Sequence, residues 1–199
     1  MEKKKKKNSP VGTIIFMVLL AGVIIGLYFM LTRGKENNET GEIPVESSEA
    51  DLLIKKDLIF DYPATPREVL KLYSRITKCL YNDELTDDQI KKLVQQVRLL
   101  YNTKLLENNS EEDQIKFLKG EISEYKKEKK IIYAYTIDSS NNTEYIKTTA
   151  GNTALIKMYF TLRAGADMKR TYEEFSLVED SSGRWKIAGW KTVDSQSWD

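Results

Sequence analysis

The longest apolar run of the chain lies near its N-terminus, at residues 11–32. It carries no charged side chain, and a run of lysines at residues 3–7 precedes it. As a helix, this stretch of 22 residues would span roughly 33 Å, which is enough to cross the apolar core of a bilayer. A cleaved signal peptide has a shorter apolar segment, so the pattern predicts an uncleaved, single-pass signal-anchor helix. The lysine run predicts that residues 1–10 are a cytoplasmic tail and that residues 33–199 lie outside the cell membrane.

The pattern of polar and apolar positions changes after this run. Residues 33–50 are polar and acidic, which predicts a flexible linker before a folded domain at residues 51–195. Three segments with apolar positions three or four residues apart then predict amphipathic helices. The first covers residues 66–81, where Thr65 and Glu68 have the spacing of a capping box, and the others begin at Thr86 and Ser110.

From residue 131 the apolar period falls from 3.6 to 2, which indicates strands. Ile131, Tyr133, Tyr135 and Ile137 alternate along the first of them. Clusters of turn residues divide the remainder into further strands at residues 143–149, 154–162, 169–179 and 184–193. Connections this short join antiparallel neighbours. The sequence therefore predicts an α+β domain, in which three helices pack on one face of an antiparallel sheet of about five strands.

Composition narrows the classes of function. The 199 residues include one cysteine, Cys79, and no histidine. This excludes a Ser-His-Asp triad, a Cys-His pair and a histidine-ligated zinc site. The formal net charge of +1 gives no electrostatic reason to expect nucleic acid as a partner. We expect no catalytic residue, no metal ligand and no cofactor-binding residue.

Residues 175–190 form the last predicted hairpin and carry Gly183, Trp185 and Ile187 in a Gly-x-Trp-x-Ile pattern. This hairpin resembles the closing hairpin of the nuclear-transport-factor-two-like fold. The resemblance implies a cone, as in the cystatin and nuclear-transport-factor-two-like architectures, whose helices pack in the hollow of a strongly curved sheet. Residues 62–82 also look like the opening of a family of membrane-anchored bacterial proteins of unknown function.

Aromatic residues on the predicted strands are the candidates for a pocket or an interface. The cone fold commonly has a pocket between its sheet and helices. The candidates are Tyr133, Tyr135, Tyr159, Trp185 and Trp190. The two tryptophans lie five positions apart on one strand, which predicts that they point to opposite faces. One would then belong to the core, and the other could serve an interface.

Three functional hypotheses follow. The first is a non-catalytic extracytoplasmic domain, anchored in the membrane by residues 11–32, that binds a small apolar ligand or a protein partner. The second is a scaffold subunit of a membrane complex, because the layout of the chain is similar to that of scaffolds in type IV secretion and conjugation machines. The third is an isomerase- or dehydratase-like enzyme, since some members of the cone fold resemble ketosteroid isomerase and use a carboxylate base beside tyrosine. The acids on predicted strands or at their ends are Asp138, Glu144, Glu173 and Glu174.

Overall fold

The computed structural model describes residues 47–149 and 151–198. Within these ranges no helix has both the length and the apolar character needed to cross a membrane. The predicted cytoplasmic tail, the predicted transmembrane helix and residues 33–46 of the predicted linker lie outside the described residues.

The described part of the chain contains five α-helices, two more than the sequence predicted. They are α1 (Glu49–Lys55), α2 (Pro66–Asn82), α3 (Asp87–Arg98), α4 (Thr103–Glu107) and α5 (Glu111–Lys127). The additional helices, α1 and α4, have only seven and five residues, too few to show a clear helical period. The side chains of Ser48 and Asn102 cap them. Helix α1 extends into the predicted linker because Ser48 caps it and Ala50 is buried.

The three longer helices begin where the sequence predicted. Thr65 caps α2 and forms a capping box with Glu68, and Thr86 forms the same arrangement with Gln89 at the start of α3. The Ser110 side chain accepts a hydrogen bond from the third residue of α5. Each cap satisfies backbone N–H groups that have no partner inside the helix, which fixes the residue at which the helix starts.

The sheet has five strands in the described residues, and all of its strand pairs are antiparallel, which confirms the predicted α+β class. The strands are β1 (Lys130–Ile137), β2 (Glu144–Thr148), β3 (Gly151–Ala164), β4 (Asp167–Glu179) and β5 (Trp185–Thr192). The long strand β3 pairs with β1 and β2 along one side and with β4 along the other, and β5 pairs with β4. The sheet is therefore open.

The helices pack on one face of this sheet. Alternate residues of β3 and β4 face the helices and are buried, namely Ala154, Ile156, Met158, Phe160, Phe175 and Leu177. They belong to one hydrophobic core together with the apolar stripes of α2 and α3. The Ser74 hydroxyl lies 3.8 Å from the Met158 sulfur, where α2 crosses the centre of β3. Burial of this apolar surface is the main stabilising contribution to the fold.

A β-bulge in β5 overturns the predicted arrangement of the two tryptophans. Ile187 and Gly189 pair with successive residues of β4, so Ala188 is an extra residue. One extra residue reverses the alternation of faces along a strand. Trp185 and Trp190 therefore lie on the same, helix-facing side of the sheet, and the prediction of opposite faces is wrong.

A second bulge changes the phase of β1. Tyr133 is the extra residue between two successive pairs of β1 with β3. Ile132 is consequently buried and Tyr133 is exposed, whereas the sequence pattern placed Ile131, Tyr133 and Tyr135 on one face. The Asn82 side chain bonds both the N–H and the C=O of Ile132, each at 2.9 Å. This amide holds the bulged strand against the end of α2.

Candidate functional site

An open cleft lies between the helices and the sheet. It has two lobes, with volumes of about 260 Å³ and 610 Å³. Five residues line both lobes, which makes them parts of one cleft: Tyr73, Thr77, Tyr81, Glu121 and Trp190. The smaller lobe, bounded by α3 and α4, is called the helical lobe, and the larger one, bounded by β4 and β5, is called the sheet lobe.

The helical lobe is mainly apolar. Its further lining includes Leu80, Val94, Val97, Tyr101, Leu105 and Leu118. Two amide side chains, Asn109 and Gln114, add polar groups to this lining. This lobe can therefore accept an apolar group.

Four aromatic rings from the helices and β5 line the sheet lobe. They are Tyr73, Tyr81, Tyr125 and Trp190, here called the aromatic wall. The ring centroids of Tyr81 and Tyr125 lie 4.6 Å apart, and those of Tyr73 and Trp190 lie 6.1 Å apart. Trp190 also stacks on Phe175, with centroids 5.4 Å apart and planes 22° apart. Trp190 is held by these rings although it is 44% exposed, and the bulge at Ala188 gives it this position.

Glu173 places a carboxylate in the sheet lobe. It lies on β4 two residues before the buried Phe175, and so on the helix-facing side of the sheet. Among the described residues it makes no hydrogen bond and no ion pair. Burial raises the pKa of Glu173 from 4.5 to about 7. Its charge therefore changes near neutral pH.

The tyrosine hydroxyls near Glu173 stay protonated. Burial is the largest cause that raises the pKa of Tyr73, Tyr81 and Tyr125, and the charge of Glu173 adds to the rise in each case. The Tyr81 hydroxyl donates a hydrogen bond to Glu121 Oε2 at 2.6 Å. At physiological pH these side chains present neutral rings and hydrogen-bond donors.

One of the five aromatic candidates from the sequence, Trp190, lines the cleft. Trp185 packs at the edge of the core, with its ring 5.8 Å from Tyr145. The Tyr62 hydroxyl donates to the Trp185 carbonyl at 2.8 Å. Tyr135 lies edge-on to Phe160 at a centroid distance of 6.5 Å.

The other two candidates, Tyr133 and Tyr159, each lie beside an arginine. The Arg163 guanidinium lies 4.8 Å from the centroid of the Tyr133 ring. Tyr159 is on the outer face of the sheet, where the Arg170 guanidinium lies 4.9 Å from its centroid and Tyr172 lies 5.2 Å away. The structure thus brings neither of them together with Trp190.

Apart from Trp190 and Glu173, the residues that build the cleft were not among the candidates predicted from the sequence. Tyr73, Thr77 and Tyr81 recur every four residues along α2, which places them on one side of that helix. Glu173 was one of four acids considered for a catalytic role. Its position in the sequence indicates a special role, because Glu173 is in phase with the buried Phe175 and Leu177. A carboxylate at such an inward strand position is unusual.

The other three acids considered from the sequence lie elsewhere. Asp138 accepts hydrogen bonds within its own turn, including one from the Asn142 side chain at 2.9 Å. Glu144 is exposed on β2. Glu174 points to the outer face and pairs with Lys191 at 2.7 Å. In the described ranges, no group of three or more His, Cys, Asp or Glu side chains could hold a metal ion.

The fold and the site together define an α+β domain with a cleft between its helices and its sheet. The chain belongs to the family described as Domain of unknown function (DUF6715), whose model matches residues 1–190. No curated protein matches the chain.

Proposed function

We propose that this chain is a membrane-anchored, extracytoplasmic, non-catalytic domain that binds a small amphipathic ligand in the cleft. The observation that carries the proposal is the pairing of two unlike lobes. The helical lobe offers apolar side chains, and the sheet lobe offers aromatic rings and the unpartnered carboxylate of Glu173. A volume of about 610 Å³ in the sheet lobe is within the usual range for small-molecule sites.

Membrane anchoring and the cone architecture are part of this proposal. The uncharged apolar run at residues 11–32 supports a single-pass anchor with a cytoplasmic N-terminus. Helices that precede an open antiparallel sheet, with a cleft between the two layers, support a nuclear-transport-factor-two-like cone. The bulge in β5 supports it as well, because bulges add bend and twist to a sheet.

The scaffold hypothesis draws less support from the domain surface. A scaffold needs a continuous exposed apolar patch of several hundred Å². The three most exposed large apolar side chains do not come from one element, because Ile59 and Phe60 adjoin in the segment after α1 and Phe117 lies on helix α5. The cleft is therefore the better candidate for recognition.

The properties of Glu173 favour a second candidate function, that of an isomerase- or dehydratase-like enzyme. A carboxylate with a pKa of about 7 in an aromatic cleft has the proton affinity that suits a general base. Catalysis of this type also needs donors aimed at the developing oxyanion. The Tyr81 hydroxyl donates instead to Glu121, so we place ligand binding first.

Native mass spectrometry of the full chain, purified from host membranes in dodecyl maltoside, tests the proposal. We expect a one-to-one small-molecule adduct on the wild-type chain. Thr77 lines both lobes, so a Thr77→Phe substitution fills the cleft and should remove the adduct. The hydroxyl of Thr77 donates to the Tyr73 carbonyl of the same helix at 2.9 Å and also bonds the Tyr73 side chain. Both partners are on the same helix, so the fold should persist without these bonds.

The matched control is Thr136→Phe, the same substitution at an exposed position of β1. This variant should keep the adduct. Absence of any adduct on the wild-type chain, or an adduct that survives in Thr77→Phe with a native circular dichroism spectrum, would contradict ligand binding in the cleft. Conversion of the released molecule to a product would favour the enzyme.

A further inference from the structure

We infer that the sheet lobe binds the ammonium group of an organic cation, with the aromatic wall around it and the Glu173 carboxylate as its counter-charge. This inference rests on the proposed function, because it names the chemical class of the ligand that the cleft would take.

The aromatic wall is the first observation behind it. A cation is attracted to the face of a tyrosine or tryptophan ring within about 6 Å of the centroid, and several such rings around one space recognise ammonium groups. Two rings of the aromatic wall belong to α2, one to α5 and one to β5, so three elements contribute aromatic rings to the lining of the lobe. The Tyr81 and Tyr125 planes differ by 55° and the Tyr73 and Trp190 planes by 47°, so neither pair is a flat stack.

The charge balance around the lobe is the second observation. The titratable side chains of its lining are Tyr73 and Tyr81 on α2, Glu121 and Tyr125 on α5, Lys169, Arg170 and Tyr172 on β4, and Asp194 after β5. Beside this lining, the Lys130 ammonium of β1 lies 4.9 Å from the centroid of the Tyr125 ring. Among these carboxylates, that of Glu173 makes no ion pair with a described residue. When ionised, it would repel a ligand with a negative group.

Neither base of this lining neutralises Glu173. The Arg170 guanidinium lies over the Tyr159 ring, 4.9 Å from its centroid, on the outer face of the sheet. Lys169 is exposed and lies four residues from Glu173 along β4, or about 13 Å at the rise of a strand. Burial, with no cationic partner, accounts for the raised pKa of Glu173. A partly buried carboxylate of this kind is stabilised when a cation arrives beside it.

Isothermal titration calorimetry with choline and its uncharged carbon isostere, 3,3-dimethyl-1-butanol, tests the inference. The two probes have the same shape and differ in the charge of one atom. The full chain is titrated in dodecyl maltoside micelles, which carry no ammonium group. At pH 8 we expect choline to bind at least tenfold more tightly than the isostere, because Glu173 is then ionised.

Two variants assign the effect to Glu173. Glu173→Gln should weaken choline binding by roughly tenfold at pH 8 and leave binding of the isostere unchanged. The control, Glu174→Gln, alters the next residue on the outer face, which pairs with Lys191, and should bind choline as the wild type does. At pH 5.5 the wild type should bind choline as weakly as Glu173→Gln does.

The possible failures separate the inference from the proposed function. Failure of choline to bind, or equal binding of choline and the isostere, overturns the cation inference. Unchanged choline binding by Glu173→Gln overturns it as well. In each of these cases, an adduct that Thr77→Phe removes would still support ligand binding in the cleft. If the adduct identified by its mass lacks a cationic nitrogen, the cation inference falls and the proposed function stands.

Discussion

Truncation of Phe175 to alanine should destabilise the domain by about 3–5 kcal/mol. Phe175 has no exposed surface and lies at the centre of the helix-facing side of β4. Its ring stacks on Trp190 and lies edge-on to Tyr73 at 5.3 Å. The substitution removes these contacts and leaves a cavity beneath the aromatic wall. Urea unfolding of the full chain in micelles, followed by tryptophan fluorescence, measures the change.

The matched control for this prediction is Phe60→Ala. Phe60 is 89% exposed, so removal of its ring should change the free energy of unfolding by less than about 0.5 kcal/mol. Equal losses from the two substitutions would show that Phe175 is not part of a packed core.

The Glu173→Gln substitution should stabilise the ligand-free protein at high pH. The pKa of Glu173 rises from its ordinary value of 4.5 to about 7 in the folded state. Between these pH values the unfolded chain releases the proton and the folded chain keeps it, so the stability of the wild type falls as the pH rises. The penalty is fully present above pH 7 and absent below pH 4.5. Glutamine carries no charge and escapes this penalty.

The size of this effect is bounded by the pKa difference. That difference corresponds to at most about 3 kcal/mol, and partial contact with solvent reduces it to on the order of 1–2 kcal/mol. Urea unfolding at pH 4, 6 and 8 should show the stability difference between Glu173→Gln and the wild type growing from near zero to this value. Glu174→Gln, which removes a charge from an ion pair on the outer face, should show no such growth. A wild type as stable as Glu173→Gln at pH 8 would contradict the account.

Much of the fold follows from local signals in the sequence. The capping residues Thr65, Thr86 and Ser110 set the starts of the long helices, and short turns set the antiparallel pairing. Helices α1 and α4 were missed because they are shorter than two full turns. Their local signals are the capping residues Ser48 and Asn102 and, for α1, the acids Glu49 and Asp51 in its first turn.

The bulges at Tyr133 and Ala188 mark the limit of prediction from periodicity. A strand pattern shows that polar and apolar residues alternate, but one extra residue reverses every side chain beyond it. Without the bulge at Ala188, Trp190 would point away from the helices. The position of Trp190 in the cleft therefore depends on strand pairing, which one strand's sequence does not contain.

The cleft itself depends on how separate elements come together. Its lining combines residues of α2, α5, β4 and β5, which are far apart in the chain. The inward position of Glu173 is visible in the sequence, because Glu173 is in phase with the apolar residues Phe175 and Leu177, which are buried. The structure adds the observation that no cation of the described residues pairs with it.

The most direct test of this account is the titration of the Glu173 carboxyl by carbon-13 NMR. The full chain is labelled with glutamate enriched at the side-chain carboxyl carbon, and the Glu173 signal is assigned by its absence from Glu173→Gln. We expect this carboxyl to titrate with a pKa of about 7. A pKa at its ordinary value of 4.5 would show that Glu173 is solvated or paired, and would contradict a cleft with an unpartnered carboxylate at the sheet.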